Sequence, residues 1–504
     1  MGCEKDNIVD IDTVIIINGD DDISNMTFSL TVDVVFSTSG NATVNSTTDD
    51  FNVTINGNDV TIIYSGEDNI MYQLSGTTTD GFFKLYSAKK QGITLNGVDI
   101  TNPNGAAINV QGTTTSPGQG KGVFIVLNGS NILADGSSYT DTPTGEDEKG
   151  VLFSEGQLVF SGEGEVIVKA MGKSGIVSDD YIVFNGGVTT VNVSSNAYYD
   201  SEDSEYKSTA GIKVNDDFTM FSGSLTVTHS GIGGKGITGG SNGYFKGGTV
   251  SVTVTGSNYS SGGGGFPGGG GSSNDSNSKS AKGIKFDGNL VFVGGKVIVR
   301  ATAHEGIEAK GTLTVTGGEV YSFSQSDDAI NSGGNFTVKG GFVYGYSVGN
   351  DGLDANGNFY LQGGLVFAIG ATSPEVAIDA NTEGGYRLYL TGGTLIAIGG
   401  LERGASLTQS CYQTSNWSSN TWYAMTVGST IYAFKTPSSG GSGLVVSGVI
   451  TPTLTSDVTV SGGTDYFNGN LILDGSISGG SSVTLSEYTG GGGNGPGGGG
   501  HGPF

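Results

Sequence analysis

Acidic side chains recur at a fixed interval in the second half of the sequence. Glu305, Asp328 and Asp351 are spaced 23 residues apart, and Asp354 follows three residues later. If the segments that carry them lie side by side at the strand spacing of about 4.8 Å, their carboxylates repel one another unless a cation neutralises them. Calcium is coordinated by about six to eight oxygen atoms, which such a row can supply. The spacing therefore predicts a calcium site, with candidate ligands Glu305, Glu308, Asp327, Asp328, Asn331, Asn350, Asp351 and Asp354.

Two other interpretations of the acidic row remain open: a solvated acidic surface, and pairing with lysine. Lys282 occupies the position equivalent to Glu305 one repeat earlier, and Lys285 the position equivalent to Glu308. The aspartates of the following repeats have no matching base in the neighbouring repeats, which favours calcium. Zinc is not predicted, because the three histidines are scattered and form no cluster with cysteine.

The acidic row is part of a longer repeat. Paired glycines begin at Gly294, Gly317, Gly340 and Gly363, each pair 23 residues after the one before. Between them lie short stretches of aliphatic, aromatic and threonine residues, which are typical of β-strands separated by turns. This period predicts an all-β fold: a right-handed parallel β-helix with coils of about 23 residues and β-rich caps at both ends.

Equivalent positions of the stacked coils predict the core. Val320, Val343 and Val366 fall at one such position, and Leu313 and Phe336 fall at another. Aligned apolar residues of parallel strands meet on the same face of the sheet. We therefore expect both sets to lie inside the coil.

The repeat also suggests how the chain is divided. We expect a tether at residues 1–12, an N-terminal β cap at 13–75, the parallel β-helix at 76–400 with a glycine-rich loop at 257–280, a C-terminal β cap at 401–489 and a disordered glycine-rich tail at 490–504.

The overall charge limits the possible partners. The formal net charge is −26, so the surface repels nucleic acid and anionic membranes. Only two cysteines are present, which excludes a disulfide framework. Cys3 near the start resembles the first residue of a mature bacterial lipoprotein, and the alternative is a free thiol in a frayed terminus. We expect an extracellular protein on the bacterial cell surface, held to the membrane only by a lipid on Cys3, and a monomer.

Aromatic residues also align at the repeat period. Tyr321, Tyr344 and Phe367 share one position and alternate with the expected core positions, so they could face outward and stack on sugar rings. The alternatives are that a loop covers them or that they stack on each other. Trp417 and Trp422 are expected in the core of the C-terminal cap.

Several motifs in order along the chain resemble those of a known family, the bacterial calcium-binding, carbohydrate-binding β-helix proteins, which are related in shape to pectate lyases. The resemblance covers roughly residues 55–490 and implies binding of cellulose or acidic plant polysaccharide, with calcium and without demonstrated catalytic activity. One coil, at 375–377, has few aspartates and departs from the pattern, which leaves the number of metal ions open. The similar motifs are at residues 72–76, 95–100, 105–109, 305–308, 327–331, 433–437 and 444–447.

Three functional classes follow from these features. The first, which we favour, is a calcium-dependent polysaccharide-binding surface lipoprotein. The second is a pectate-type polysaccharide lyase, in which Lys310 or Lys339 beside the acidic row would be the base that removes a proton next to a uronate carboxyl. The third is a calcium-stabilised adhesin or scaffold on the cell surface.

Overall fold

The computed structural model describes residues 19–45, 49–116, 121–140, 146–201, 203–260 and 278–490. Two short 3-10 helices, Gly19–Asp21 and Ile23–Asn25, precede a long series of β-strands, and no α-helix occurs within the described ranges. The prediction of an all-β fold is confirmed. The predicted tether, most of the glycine-rich loop and nearly all of the tail lie outside these ranges. No helix among the described residues is long and apolar enough to cross a membrane.

The repeat consists of three strands in each 23 residues. One example comprises Ile307–Ala309, Leu313–Val315 and Glu319–Ser324, and each of these strands pairs in parallel with the strand 23 residues further on. The chain thereby builds three parallel arrays, called here the first, second and third stacks. The paired glycines lie in the turn between the second and third strands. Gly341 has a φ of 75°, and a Cβ there would lie 2.7 Å from a backbone carbon of Gly317, so both conformation and space require glycine.

The first stack carries the acidic row. Its edge is a hairpin in which Phe51–Asn56 pairs antiparallel with Asn58–Tyr64, and every later pairing in it is parallel. Its parallel strands are Asn58–Tyr64, Gly81–Ser87, Ile108–Gln111, Gly150–Ser154, Ser174–Ser178, Ala210–Val214, Lys235–Gly239, Lys282–Phe286, Ile307–Ala309, Ile330–Ser332 and Leu353–Ala355.

The second and third stacks are joined by four long strands that run through both. These are Ile70–Thr78, Gln91–Asn102, Ile182–Val193 and Phe218–His229. The other strands of the second stack are Val123–Asn128, Leu158–Gly162, Gly243–Phe245, Leu290–Phe292, Leu313–Val315, Phe336–Val338, Phe359–Leu361, Leu388–Leu390 and Ser406–Leu407. Those of the third stack are Ser130–Asp135, Glu165–Ala170, Thr249–Val254, Lys296–Ala301, Glu319–Ser324, Phe342–Ser347, Leu365–Ile369 and Thr394–Ile398.

The core lies between the three stacks. Val320, Val343 and Val366 are consecutive partners in the third stack, and Leu313 and Phe336 are partners in the second. All five are buried and belong to one continuous apolar cluster. The predicted inward columns are confirmed. Strand pairing keeps each apolar residue above its equivalent in the next coil, so the core continues along the stacks without interruption.

The N-terminal end of the stacks begins earlier in the chain than expected. Leu30–Phe36 pairs in parallel with Ile70–Thr78 and antiparallel with Thr43–Asn45. Parallel stacking therefore already involves the segment predicted as a separate N-terminal cap. A short hairpin of Tyr198–Asp200 and Glu205–Lys207 lies in the connection between Ile182–Val193 and the first-stack strand Ala210–Val214.

The C-terminal region contains two further groups of antiparallel strands. Leu444–Ser447 pairs with both Thr394–Ile398 and Cys411–Thr414, and the latter pairs with Ser486–Tyr488. The second group is an antiparallel sheet, called here the C-terminal sheet, whose strands are Trp422–Val427, Thr430–Lys435, Thr453–Ser461, Thr464–Tyr466, Leu471–Leu473 and Ser476–Ser482. Phe467 and Phe434 of this region belong to an apolar cluster with the outer face of the third stack, so the C-terminal sheet packs against that stack.

Candidate functional site

The acidic row lies on the first stack, as the period predicts. Glu308, Asn331 and Asp354 are register partners on three consecutive strands. The preceding turns are also joined from coil to coil, since the backbone N–H of Gly306 donates to the carbonyl oxygen of Asp328, 3.1 Å away. The row therefore presents side chains from successive coils to one surface.

The beginning of the row is neutralised by lysine. Lys282 Nζ lies 3.1 Å from Oε2 of Glu305 and 2.5 Å from Oε2 of Glu308, and Lys310 Nζ lies 2.6 Å from Oε1 of Glu308. Burial would raise the pKa of Glu308, but the two ammonium groups outweigh it and lower that pKa to about 2. Lys285 does not pair with Glu308 and instead contacts Asp287. Glu305 and Glu308 are therefore already neutralised by lysine ammonium groups of the protein.

Asp327 is also paired within the protein. His304 Nδ1 lies 2.8 Å from Oδ2 of Asp327 and also contacts Glu305. Burial lowers the pKa of His304, but these two carboxylates raise it to about 9, so the imidazole is protonated at neutral pH. Asn350 adds a hydrogen bond from Nδ2 to Oδ1 of Asp327 at 2.9 Å. A metal ion does not fit this part of the row, because a cationic imidazole is already in contact with the carboxylates.

Four aspartates further along form a group that we call the carboxylate cluster. It consists of Asp328, Asp351, Asp354 and Asp379, and none of them contacts a lysine, arginine or histidine of the described residues. One oxygen from each of Asp351, Asp354 and Asp379 lies within 4.8 Å of the other two. Asp328 and Asp351 are buried, whereas Asp354 and Asp379 are half-buried and reachable from solvent. The cluster spans three successive coils.

Burial, followed by repulsion from carboxylates inside and outside the cluster, makes these groups hard to ionise. These effects raise the pKa of Asp351 to about 8, that of Asp354 to about 7 and that of Asp379 to about 9. The pKa of Asp328 is also raised, first by burial and then by its acidic neighbours. Two hydrogen bonds to Asp328, from the backbone N–H of Asp351 and from Nδ2 of Asn331, are each 3.1 Å long and only partly offset these effects.

The donor atoms of the carboxylate cluster suit a hard divalent cation. All of them are carboxylate oxygens, the ligand type that calcium prefers, and a bound cation would lower the raised pKa values. Of the eight residues proposed from the sequence, Asp328, Asp351 and Asp354 belong to the cluster. Glu305, Glu308 and Asp327 are instead engaged in ion pairs. Asn331 and Asn350 donate hydrogen bonds to the aspartates from their amide nitrogens. Asp379 was not among the predicted ligands, although it aligns with Asp354 one coil further on.

A second acidic group lies elsewhere on the protein and is already compensated. Asp147, Glu155 and Asp179 are close enough to share an ion. However, Lys149 Nζ lies 2.9 Å from Oδ2 of Asp147 and also contacts Asp179. The ammonium group thus occupies the position that a metal ion would need.

The predicted aromatic platform is wrong. Tyr321 and Tyr344 are each only 3% exposed, and Phe367 is fully buried. Their outward faces are covered, because the ring of Tyr344 lies 5.3 Å from that of Phe467 and the ring of Phe367 lies 5.5 Å from that of Phe434. The residues do align, but they anchor the C-terminal sheet and cannot stack on a sugar.

The other predicted residues have simple positions. Cys3 lies outside the described residues, and Cys411 is a buried free thiol. Lys310 forms an ion pair with Glu308. Lys339 is exposed and directly follows the second-stack strand Phe336–Val338. Trp417 is partly buried against the apolar cluster that includes the C-terminal sheet, and Trp422 lies in the first strand of that sheet.

The chain is similar to a known protein family and to a solved structure. Residues 56–329 match the family described as carbohydrate-binding domain-containing proteins. The gadolinium derivative of a polysaccharide lyase-like protein from C. thermocellum aligns with 18% identity and a TM-score of 0.34, over 66% of this chain and 99% of that one. No curated protein matches the sequence. Because the matched region is more than half of the chain, the protein belongs to the family of carbohydrate-binding domain-containing proteins.

Proposed function

We propose that the protein is a calcium-dependent polysaccharide-binding protein of the bacterial cell surface, which recognises cellulose or an acidic polysaccharide. Membership of a carbohydrate-binding family supports the class of ligand. The carboxylate cluster supports calcium, and it is the observation on which the metal dependence rests. Three neighbouring carboxylates, with Asp328 acting on them from the preceding coil, have no cationic partner among the described residues and are costly to keep ionised, and a divalent cation removes that cost.

In this proposal Asp351, Asp354 and Asp379 hold the ion, and Asp328 contributes negative charge from the preceding coil. When bound, calcium supplies a positive centre to which a sugar carboxylate or hydroxyl can coordinate. The protein's own residues fix the cluster, because the backbone N–H of Val376 donates to Oδ1 of Asp351 at 2.6 Å and so ties one coil to the next. Ion binding would therefore also stabilise the stacking of coils.

The proposal includes a specific architecture and location. We regard the three stacks as the faces of a right-handed parallel β-helix, since three strands and three turns return the chain to the next strand of each stack after 23 residues. We also propose that a lipid on Cys3 anchors a monomeric protein to the membrane. Detergent partitioning of the protein from its native host, which Cys3→Ala should abolish, tests the anchor.

Binding to a polysaccharide array, measured with calcium and with chelator, tests the proposed function. Calcium-dependent retention of cellulose or a uronate polymer is expected. Loss of metal without any change in glycan binding would contradict the calcium dependence, and absence of all glycan binding would contradict the function. The same samples, followed by the absorbance of unsaturated uronides, test the lyase alternative. If the protein neither binds a polysaccharide nor forms this product, the adhesin or scaffold alternative is favoured.

A further inference from the structure

Two lysines on the first stack lack the acidic partner that buried cations normally have. Lys213 and Lys235 lie on neighbouring strands, where Lys213 is the register partner of Thr238 and Lys235 is that of Ala210. Both side chains are half-buried. Neither forms an ion pair with a carboxylate in the described part of the chain, and the described hydrogen bond of Lys235 goes to the neutral hydroxyl of Ser208 at 2.7 Å. These two residues are called here the lysine pair.

The surroundings of the lysine pair disfavour its charged form, which a bound anion would stabilise. Burial, together with the charges of Lys282, Lys285, Lys213 and Lys279, lowers the pKa of Lys235 to about 7. Burial also lowers the pKa of Lys213, followed by repulsion from Lys149 and Lys207. Acidic groups do act on Lys213 from a distance, but one of them, Asp179, is itself in contact with Lys149.

Neither lysine has a carboxylate partner in the described part of the chain, although the protein carries a net charge of −26. Unpaired, partly desolvated ammonium groups reduce stability, and the many carboxylates of this chain could have neutralised them. The contrast is clear one strand further on, where Lys282 is fully paired with Glu305 and Glu308. Anionic groups of a ligand bound at the two lysines would supply the missing charge.

The position of the pair fits a ligand that also reaches the carboxylate cluster. Lys235 and Asp351 belong to the same stack and are separated by four strand steps, or about 19 Å at a strand spacing of about 4.8 Å. An extended oligosaccharide of several residues spans such a distance. Its carboxylates would meet ammonium groups at one end and a bound cation at the other.

We propose that Lys213 and Lys235 form a subsite for a carboxylate of an acidic, uronate-containing polysaccharide. The inference rests on the proposed function and selects the acidic polysaccharide over cellulose as its ligand. Ammonium groups bind carboxylates by charge-assisted hydrogen bonds, and partial burial reduces competition from water. Neutral glucans have no group that satisfies this charge.

Calorimetric titration of the calcium-loaded full chain tests the subsite. The probes are a galacturonate hexamer, cellohexaose and a sulfated dextran oligomer, and the variants are Lys213→Met, Lys235→Met and their combination. Each single change should weaken binding of the galacturonate hexamer about tenfold, the loss expected for one charge-assisted contact, and leave cellohexaose unaffected. Lys121→Met is the matched control, since it removes an exposed lysine to which no role in binding or catalysis is assigned, and it should leave both affinities unchanged.

The outcomes separate this inference from the proposed function. If the wild-type protein binds cellohexaose but not the galacturonate hexamer, the proposed function stands and the subsite is wrong. The subsite is also wrong if the double variant keeps full affinity for the galacturonate hexamer, or if only the sulfated probe binds. Binding of none of the probes would overturn both. Should the variants fail to fold, lysine side-chain resonances of the wild-type protein provide the second measurement, and their failure to shift with the galacturonate hexamer would overturn the subsite.

Discussion

The ammonium nitrogen of Lys282 lies 2.5 Å from a carboxylate oxygen of Glu308 on the next strand of the first stack. Two strands beyond Glu308, the equivalent position is occupied by Asp354, which has no ion-pair partner among the described residues. One row of aligned acidic residues is therefore divided into a part that lysine and histidine neutralise and a part whose carboxylates have no cationic partner among the described residues. The candidate metal site is therefore confined to the second part of the row, whereas the 23-residue repeat alone indicates the whole row.

Removal of Lys282 should destabilise the protein. Lys282→Met leaves Glu305 and Glu308 buried with fewer cationic partners, and breaking a buried ion pair in this way costs about 3–5 kcal/mol. Because Glu308 keeps Lys310, we expect the lower end of this range in the free energy of unfolding, measured with denaturant. Lys339→Met should change stability by less than about 0.5 kcal/mol. An equal response of the two variants would show that the Lys282 pairs contribute nothing.

Calcium should stabilise the protein through the carboxylate cluster. At a hundredfold excess over Kd the expected gain is about 2.7 kcal/mol, so chelation should lower the Tm. Asp351→Asn combined with Asp379→Asn should abolish this response, whereas Glu163→Gln, at an exposed turn, should keep it. Scanning calorimetry with calcium and with chelator measures the difference. A chelator effect that persists in the double variant would place the ion elsewhere.

The same cluster predicts how the metal-free protein responds to pH. Its carboxyl groups have pKa values raised from the ordinary 3.8 to as high as about 9, at Asp379. The folded state therefore binds more protons than the unfolded state, and its stability should fall as pH rises from about 4 to about 9. Denaturant unfolding of chelated protein across this range checks the sign, and the Asp351/Asp379 double variant should show a shallower fall. If the stability of the chelated protein instead rises over this range by more than that of the double variant, the pKa values of the cluster are not raised.

His229 should have the opposite effect on stability, which it should make rise with pH in the acidic range. The ring is 1% exposed, accepts a hydrogen bond at Nδ1 from the backbone N–H of Gly231 and faces the Thr209 hydroxyl with Nε2. Burial first, and then repulsion from Lys235, lowers its pKa from 6.5 to about 4. The neutral ring thus stabilises the fold above pH 6.5, and about 3 kcal/mol of this should be lost as pH falls through 6.5 towards 4. His229→Asn should flatten the acid limb of the stability curve, and an unchanged slope would show that the ring is already solvated.

Tyr344 should be a stability residue and not a sugar-binding residue. Tyr344→Ala removes a ring that packs between Tyr321 and Phe467 and should cost about 3–5 kcal/mol, while affinity for polysaccharide at permissive temperature stays the same. Tyr386, which is 43% exposed, provides the control, since Tyr386→Ala should be nearly neutral for stability. Weaker glycan binding by correctly folded Tyr344→Ala protein would support a sugar-binding role for this residue after all.

Periodicity explains which features could be predicted from the sequence. The inward position of Val343 and the alignment of Asp354 with Glu308 both follow from the spacing, because register in parallel strands repeats with the sequence. The cover over Tyr344 could not be predicted in this way. Phe467 belongs to a region without the repeat, so no spacing relates the two residues. The double contact of Lys282 depends on the reach of a flexible side chain across a turn, which alignment by position does not describe.

The packing of the C-terminal sheet against the third stack also has a consequence for biosynthesis. The backbone N–H of Phe467 donates to Oε1 of Glu319 at 2.8 Å, across 148 residues of sequence. Coils formed from local parallel pairing can assemble as the chain leaves the ribosome, since each needs only its neighbours. The coils around Tyr344 are different, because their aromatic outer face remains uncovered until about 120 further residues have been translated. During that interval this face is an exposed apolar surface on the nascent chain, so correct folding of the last third of the protein would depend on keeping it from associating with other chains.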